Sequence, residues 1–250
     1  MNCSSTNAYR YGTIKEWVIP MTVVLADGTI VKTRRRPRKS PAGYDLTSLI
    51  VGSEGTLGLI TEAVLKVTSL PDNLHVVVAA FPSTHLAVKS AVALIRSGLP
   101  IDALELLDKH SMWAINQSGL SSRQWKESPT LFLKISGLHL AVQGQLQIIR
   151  EAAKENQCED FEVSANKDEI EITWGTRKKV RQSLIAMKKD PTDLFLNADA
   201  AVPISSLAEI IEETHQVISD AGLAGSTFGH IGDGMISNKA HLAKCAHVSG

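Results

Sequence analysis

The spacing of hydrophobic and polar positions divides the chain into two regimes that meet near residue 70. Before that point the pattern is one of short β-branched runs and tight turns. The stretch "EWVIPMTVVLADGTIVKTRRR" sets two Val/Ile-rich runs on either side of Asp27-Gly28, which predicts a β-hairpin. Asp45 ahead of "LTSLI" predicts an N-capped short helix. The Gly-rich run "VGSEGTLG" then predicts a turn, followed by a strand through "ITEAVLKVTSL" that ends at Pro71. From residue 73 strands alternate with amphipathic helices. "LHVVVAAF", "IDALELLD", "TLFLKISG" and "EDFEVSA" read as strands; "STHLAVKSAVALIRSG", stopped at Gly98, and "LAVQGQLQIIREAAKEN" read as helices. Strand–helix–strand pairing comes twice, which predicts an antiparallel sheet backed by helices, a ferredoxin-like unit in an α+β chain. Residues 116–128 carry little signal. A helix over "GTRKKVRQSLIAMKKD", a strand-like "DLFLNADAAVPI" and a helix over "SSLAEIIEETHQVISDAG" complete the pattern. Pro71, Asp72 and Asn73 break the chain, so the expected domains are 1–70 and 73–250.

Composition narrows the classes of function. With 250 residues, 44% of them hydrophobic, the chain can bury a substantial core. Lys+Arg and Asp+Glu are equal at 26 each, so no overall field draws the chain to nucleic acid or to an anionic membrane. Cys3, Cys158 and Cys245 lie far apart without CxxC spacing, which argues against a disulfide framework or a zinc knuckle. No apolar run reaches the roughly 18 residues that span a bilayer. The opening "MNCSSTNAYRYG" has the features of neither a signal peptide nor a transit peptide, so the expectation is a soluble chain without a targeting segment.

Three stretches carry candidate chemistry. Glycines in "GSEGTLG" let a bulky ligand lie against backbone amides, or simply form a tight turn. The stretch is not a Walker loop, since no Gly-Lys-Ser/Thr follows; nor does it open a helix as a GxGxxG dinucleotide turn would. In "GHIGDGMIS", His230 and Asp233 sit among three glycines, which predicts a loop presenting an imidazole and a carboxylate with little steric cover, for a metal, for acid–base work or for structure alone. In "WGTRKKVRQ", Trp174, Arg177 and Arg181 share a helix face; a guanidinium there can grip a carboxylate with two hydrogen bonds, whereas Lys178, Lys179 and Arg181 read better as a solvated face. "KTRRRPRK" reads as a solvated or cofactor-phosphate-facing loop, because aromatic residues are not interleaved with its cations.

Taken in order, "STNAYRYGTIKEWVIPMTVVLADGTIV", "PAGYDLTSLIVGSEGTLGLITEAVLKV" with Pro41 where the family has Ser, "LFLKISG", "ADAAVPIS" and "GHIGDG" resemble the FAD-dependent D-lactate dehydrogenases that pass electrons to cytochrome c. That group stands with glycolate oxidase and D-2-hydroxyglutarate dehydrogenase in the vanillyl-alcohol oxidase flavoprotein superfamily. The resemblance covers residues 2–236 and implies the second half of an FAD-binding domain followed by a ferredoxin-like substrate, or cap, domain. It implies that Thr6, Asn7, Tyr11 and Gly12 lie in a loop near the flavin and its pyrophosphate, and that Gly55, Thr56, Gly58 and the Ile60 backbone line FAD with Glu54 beside them. It gives Arg177 the substrate carboxylate and makes His230 the first ligand of a divalent metal such as zinc. The family loop continues with Asn and a second His where this chain has Met235 and Ser237, and neither a thioether nor a hydroxyl replaces imidazole for such an ion. The later acidic ligand and the proton-abstracting histidine match no residue up to Gly250. The resemblance further implies a small D-2-hydroxy acid as substrate, D-lactate first, cytochrome c as acceptor and a mitochondrial location. It also implies an internal piece of a longer flavoprotein, lacking the N-terminal FAD subdomain and the C-terminal catalytic segment, with an exposed apolar half-site, weak FAD retention and very low or absent turnover. A non-catalytic subunit of the same fold, kept for protein association, is the alternative.

Overall fold

The computed structural model describes residues 2–3, 5–34, 43–188 and 193–242. The chain falls into two compact units, Met1–Leu70 and Pro71–Gly250.

The first unit opens with helices α1 (Ala8–Tyr11) and α2 (Ile14–Trp17) and continues into strand β1 (Val18–Val24) and strand β2 (Ile30–Lys32). Helix α3 (Leu46–Ile50) and strand β3 (Leu59–Leu65) follow. The Asp27-Gly28 hairpin forms as expected, with β1 at the centre of a three-stranded antiparallel sheet between β2 and β3. Asp45 caps α3 by accepting from the Ser48 amide at 3.0 Å. Two expectations change. The Thr6–Gly12 segment contains the short α1 rather than only loop. The strand after the glycines stops at Leu65, six residues before Pro71, where its partner strand β1 begins at Val18 and the ladder runs out.

The core of this unit is small: Val18, Met21, Val23 and Ile50. Strand β3 packs no side chain against it and is exposed along its whole length. Its outer edge therefore has no partner strand among the described residues, beside exposed Leu59 and Ile60. Gly58 sits where β3 begins. A Cβ there would meet Val23 Cγ1 at 2.7 Å and the Val24 carbonyl oxygen at 2.9 Å, so the protein's own β1 excludes a side chain at this glycine. Gly58→Ala is expected to cost about 1–3 kcal/mol through this overlap. Hydrogen exchange of the β1 amides measures it, and unchanged protection would refute the account of this position.

The second unit contains β4 (His75–Ala80), α4 (Thr84–Arg96), β5 (Ala103–Leu107), α5 (Lys109–Ser118), β6 (Thr130–Ile135), α6 (His139–Glu155) and β7 (Asp160–Ser164). Then come α7 (Lys167–Ala186), β8 (Leu194–Ala201), α8 (Leu207–Asp220), β9 (Ala224–Gly229) and β10 (Met235–Leu242). The strands form one seven-stranded sheet in the order β7-β4-β6-β5-β9-β10-β8. The first four follow the ferredoxin-like order, with antiparallel neighbours joined by two right-sized strand–helix–strand units. Strand β9 pairs with β5 and carries the β10–β8 pair, extending the sheet from that edge.

Helices α5 and α7 pack on one another over the face that bears Val76, Val78, Ala103, Leu107, Phe132 and Phe228. Helix α4 packs against α6 and α8, and these cover the alternate residues, among them Val77, Leu104, Leu106 and Leu133. Strand β5 is buried at all five positions. Helix α5 and the β9–β10 hairpin were not anticipated. Helix α5 has a weak apolar stripe, but its ends are marked: Asp108 accepts from the Ser111 amide at 2.7 Å, and Gly119 turns left-handed at φ 66°.

Candidate functional site

Glu105 occupies the middle of the fully buried β5 with 0% exposure, among residues that are otherwise aliphatic. A carboxylate there needs partners, and the two it has among the described residues lie 72 and 125 residues further along the chain. Arg177, in the middle of α7, donates from Nε at 3.2 Å and from Nη2 at 2.7 Å, both to Oε2. His230, directly after β9, places Nδ1 2.6 Å from Oε1. Helix α7 crosses the sheet so that Trp174 lies over β6, with the Lys134 ammonium 4.0 Å from its ring, and Arg177 lies over β5 one turn later. The Arg177 guanidinium also stands 5.3 Å from the Phe228 ring, and Lys239 stands 5.8 Å from the same ring.

The surroundings are charged and largely dehydrated. Burial, helped by the Lys178 charge, pushes Lys134 down to about 8, against the pull of Asp102 and Glu105. Burial raises Asp233 above the ordinary carboxylate range; Glu105 adds to this and His230 opposes it. Burial lowers Lys239, with Arg181 adding to the effect and Asp199, 3.7 Å away, opposing it. Lys178, Lys179 and Arg181 are exposed, as expected of a solvated helix face.

The loop around His230 differs from its expected form. "GHIGDGMIS" is a tight corner between β9 and β10, containing a 3-10 turn over Ile231–Asp233. A Cβ at Gly234 would meet the Val202 carbonyl oxygen at 2.3 Å, and one at Gly229 the Met235 carbonyl oxygen at 2.3 Å. The glycines allow backbone to touch backbone; they do not lay the imidazole bare, and the His230 side chain is only 26% exposed. Ser237 on β10 donates to Asp199, which commits its hydroxyl. Among the described residues no group of three His, Cys, Asp or Glu side chains can hold a metal ion. With Met235 and Ser237 in place and Nδ1 on Glu105, the donor set does not fit the divalent ion that the resemblance implied, and no chemistry is routed through one.

The resemblance-derived cofactor residues all lie in the first unit. Glu54 takes a left-handed φ of 51°, unusual outside glycine, and Gly55 follows at 84°. A Cβ at Gly55 would touch nothing within 4 Å, so open space adjoins this turn. Tyr11 accepts the Trp17 indole N–H on its carbonyl at 2.6 Å, and the two rings meet edge to face. Thr6 and Tyr11 are half-buried, while Asn7 and Gly12 are exposed. Exposed backbone and apolar side chains at Leu59 and Ile60 beside an open turn suit a flat, amphipathic ring system, and the fit to a flavin nucleotide is met on this side. Of "KTRRRPRK", residues 35–39 lie outside the described residues; Arg34 donates to the carbonyls of Ile19 and Val18, which makes it structural.

A second buried polar centre, also unforeseen, closes the far end of β5. Asp108 accepts from the Ser111 amide and the Ser226 hydroxyl on Oδ1, and from the Thr227 amide and His215 Nε2 on Oδ2, at 2.7–2.9 Å. Both missed carboxylates carried the same signal: an acid inside an aliphatic strand run, "IDALELLD", where an unpaired charge is not tolerated.

Solved structures of low sequence identity share this mixed helix-and-sheet fold. The alkyldihydroxyacetonephosphate synthase structure aligns with a TM-score of 0.71 at 18% identity, covering 97% of this chain and 50% of that one. The p-cresol methylhydroxylase structure with substrate bound aligns with a TM-score of 0.63 at 11% identity, covering 90% of this chain and 51% of that one. The model of the FAD linked oxidases' C-terminal domain matches residues 70–243, and the chain belongs to that family. Its sequence is 44% identical over 237 residues to the mitochondrial D-lactate dehydrogenase [cytochrome] of Kluyveromyces lactis, covering 93% of this chain and 41% of that protein. Glycolate oxidase subunit GlcD of Bacillus subtilis is 28% identical, covering 93% of this chain and 49% of GlcD. The chain thus spans about two fifths of the length of the D-lactate dehydrogenases it matches.

Proposed function

We propose that this chain acts in the flavin-dependent oxidation of a small D-2-hydroxy acid, D-lactate foremost, to its 2-oxo acid, with cytochrome c as electron acceptor and mitochondria as its location. The observation that carries this reading is the junction at Glu105, which brings a guanidinium and an imidazole, from α7 and from the β9–β10 corner, to one carboxylate. Similarity to D-lactate dehydrogenases [cytochrome] supports the choice of substrate and acceptor.

In this reading Gly55, Thr56, Gly58 and Ile60, with Glu54 beside them and Thr6, Asn7, Tyr11 and Gly12 nearby, hold FAD, which when bound supplies a two-electron acceptor. Arg177 spends Nε and one Nη2 hydrogen on Glu105. Its remaining N–H groups take the substrate carboxylate, in place of the full fork-shaped grip. His230 takes the hydroxyl. Lys134, Asp233 and Lys239 set a dry, charged wall in which these contacts strengthen.

The test is to load the chain with FAD and follow dye reduction by D-lactate, glycolate and D-2-hydroxyglutarate. D-Lactate is expected to reduce the dye fastest, with Arg177→Ala lowering kcat/KM about 10–100-fold. Protein that binds FAD stoichiometrically yet reduces no dye with any of the three acids would refute the reading. The engagement of Arg177 by Glu105 favours one rival, a non-catalytic subunit; background activity together with stable oligomers on size exclusion would select it.

A further inference from the structure

We propose that His110 and His215 form a binding site for a borderline divalent metal ion of the zinc type, which clamps helix α5 to helix α8 while Asp108 holds the His215 ring from behind. The site lies wholly within the Pro71–Gly250 unit and stands independently of the oxidation reading.

Asp108 is 1% exposed, and its carboxylate accepts from the Ser111 amide, the Ser226 hydroxyl and the Thr227 amide. His215 Nε2 stands 2.9 Å from Oδ2. An ionised carboxylate only accepts, so Nε2 carries the hydrogen. In the neutral ring the lone pair then sits on Nδ1, which has no hydrogen-bond partner among the described residues. A histidine that ligates a metal has this arrangement: one ring nitrogen faces the ion and the other donates to a carboxylate.

The second imidazole comes from the opposite layer of the unit. His110 is the second residue of α5, the helix that Asp108 caps, and α5 and α8 lie on different faces of the sheet. The two ring centroids are 6.2 Å apart with their planes at 77°. A zinc–nitrogen bond of about 2.1 Å puts each centroid about 3.2 Å from the ion, so a tetrahedral pair needs about 5.2 Å between centroids. His110 is exposed, and rotation of its side chain supplies the remaining distance of about 1 Å. The His215 side chain is 29% exposed, which leaves the pair open to ions from solvent. The hydrogen bond between Asp108 and His215 serves the fold by itself. What points to an ion is the second imidazole beside the first, with no hydrogen bond of its own among the described residues. No third His, Cys, Asp or Glu joins the pair among those residues, so water completes the coordination and the ion is exchangeable. Imidazole donors favour zinc, copper or nickel over magnesium and calcium, which take oxygen.

The experiment titrates zinc chloride into the full chain labelled with nitrogen-15 histidine at neutral pH, the His215 signals being assigned by their loss in His215→Gln. Zinc is expected to move the His215 Nδ1 signal and to saturate that response well below about 1 mM. Magnesium at the same concentration is expected to leave the signal in place. His110→Ala changes only an exposed side chain and is expected to weaken the zinc response about 10–100-fold. His230→Asn is expected to leave the response unchanged, which separates this pair from the corner after β9. A His215 signal that zinc does not move, or that moves equally in His110→Ala, would overturn the proposal. So would a response that magnesium reproduces or that His230→Asn abolishes.

Discussion

Replacing Arg177 with methionine is expected to remove about 3–5 kcal/mol of stability from the Pro71–Gly250 unit. The methionine fills similar volume and keeps the contact with Phe228, so lost packing is a minor part of the effect. The larger part is what remains behind. Glu105 stays at the centre of β5 with 0% exposure and keeps His230 as its one partner among the described residues. A buried carboxylate stripped of its counter-charge must be neutralised or drag water into the sheet. For a unit of this size the loss corresponds to a drop in Tm of about 6–20 °C. Urea titration of wild type and variant measures it. Arg177→Met combined with Glu105→Leu should recover much of the loss, because removing both charges relieves the orphaned one. A single-variant loss below about 1 kcal/mol would contradict the burial-and-pairing account.

Asp108→Asn is expected to be comparably costly, about 3–5 kcal/mol at neutral pH. The native carboxylate accepts four hydrogen bonds and donates none. An amide turns a donating NH2 group toward one pair of those donors, which leaves a buried backbone N–H, that of Ser111 or of Thr227, without this acceptor. The effect has a defined pH dependence. Burial pushes Asp108 up, but the His215 hydrogen bond and charge and the Thr227 and Ser111 amides outweigh it and hold the group below its ordinary value. A depressed carboxylate stabilises the fold above its unfolded value, near pH 4, and loses that contribution as the pH falls through the folded value. The gap between wild type and Asp108→Asn should therefore shrink as the pH falls below about pH 4. A gap that widens on acidification would show that the carboxylate is not the stabilising form.

Much of the fold was legible because local signals agreed with burial. The hairpin at Asp27-Gly28 needs only its turn and two β-branched runs, and both are printed in the sequence. The two strand–helix–strand units announce themselves by a change of period, and the sheet order follows from short, unknotted connections. Helix α5 was not legible, because most of what holds it is an end cap and a neighbour, α7, far along the chain. Strands β9 and β10 hid behind glycines that read as an open loop, whereas those glycines serve close backbone approach at Gly229 and Gly234. At Gly58 the same residue type suggested a ligand, and the nearer cause is β1.

The candidate site was half legible. Arg177 and His230 stood out as charge beside Trp and as imidazole among glycines. Glu105 did not, because a lone acid in "IDALELLD" gives no hint of partners 72 and 125 residues away. Three-dimensional pairing turns three scattered residues into one unit, and it engages Nε and Nη2 of Arg177 with Glu105, a contact that the sequence did not announce.

The most direct measurement is an anaerobic titration of the FAD-loaded chain with D-lactate, read at the visible flavin band, for wild type and for Arg177→Lys. Lysine keeps a positive charge beside Glu105 but lacks the planar fork that serves Glu105 and a substrate together. Bleaching by D-lactate and not by L-lactate in the wild type, and much slower bleaching in the variant, is the expected result. Bound flavin that D-lactate leaves fully oxidised, or that both proteins reduce at the same rate, would contradict the account.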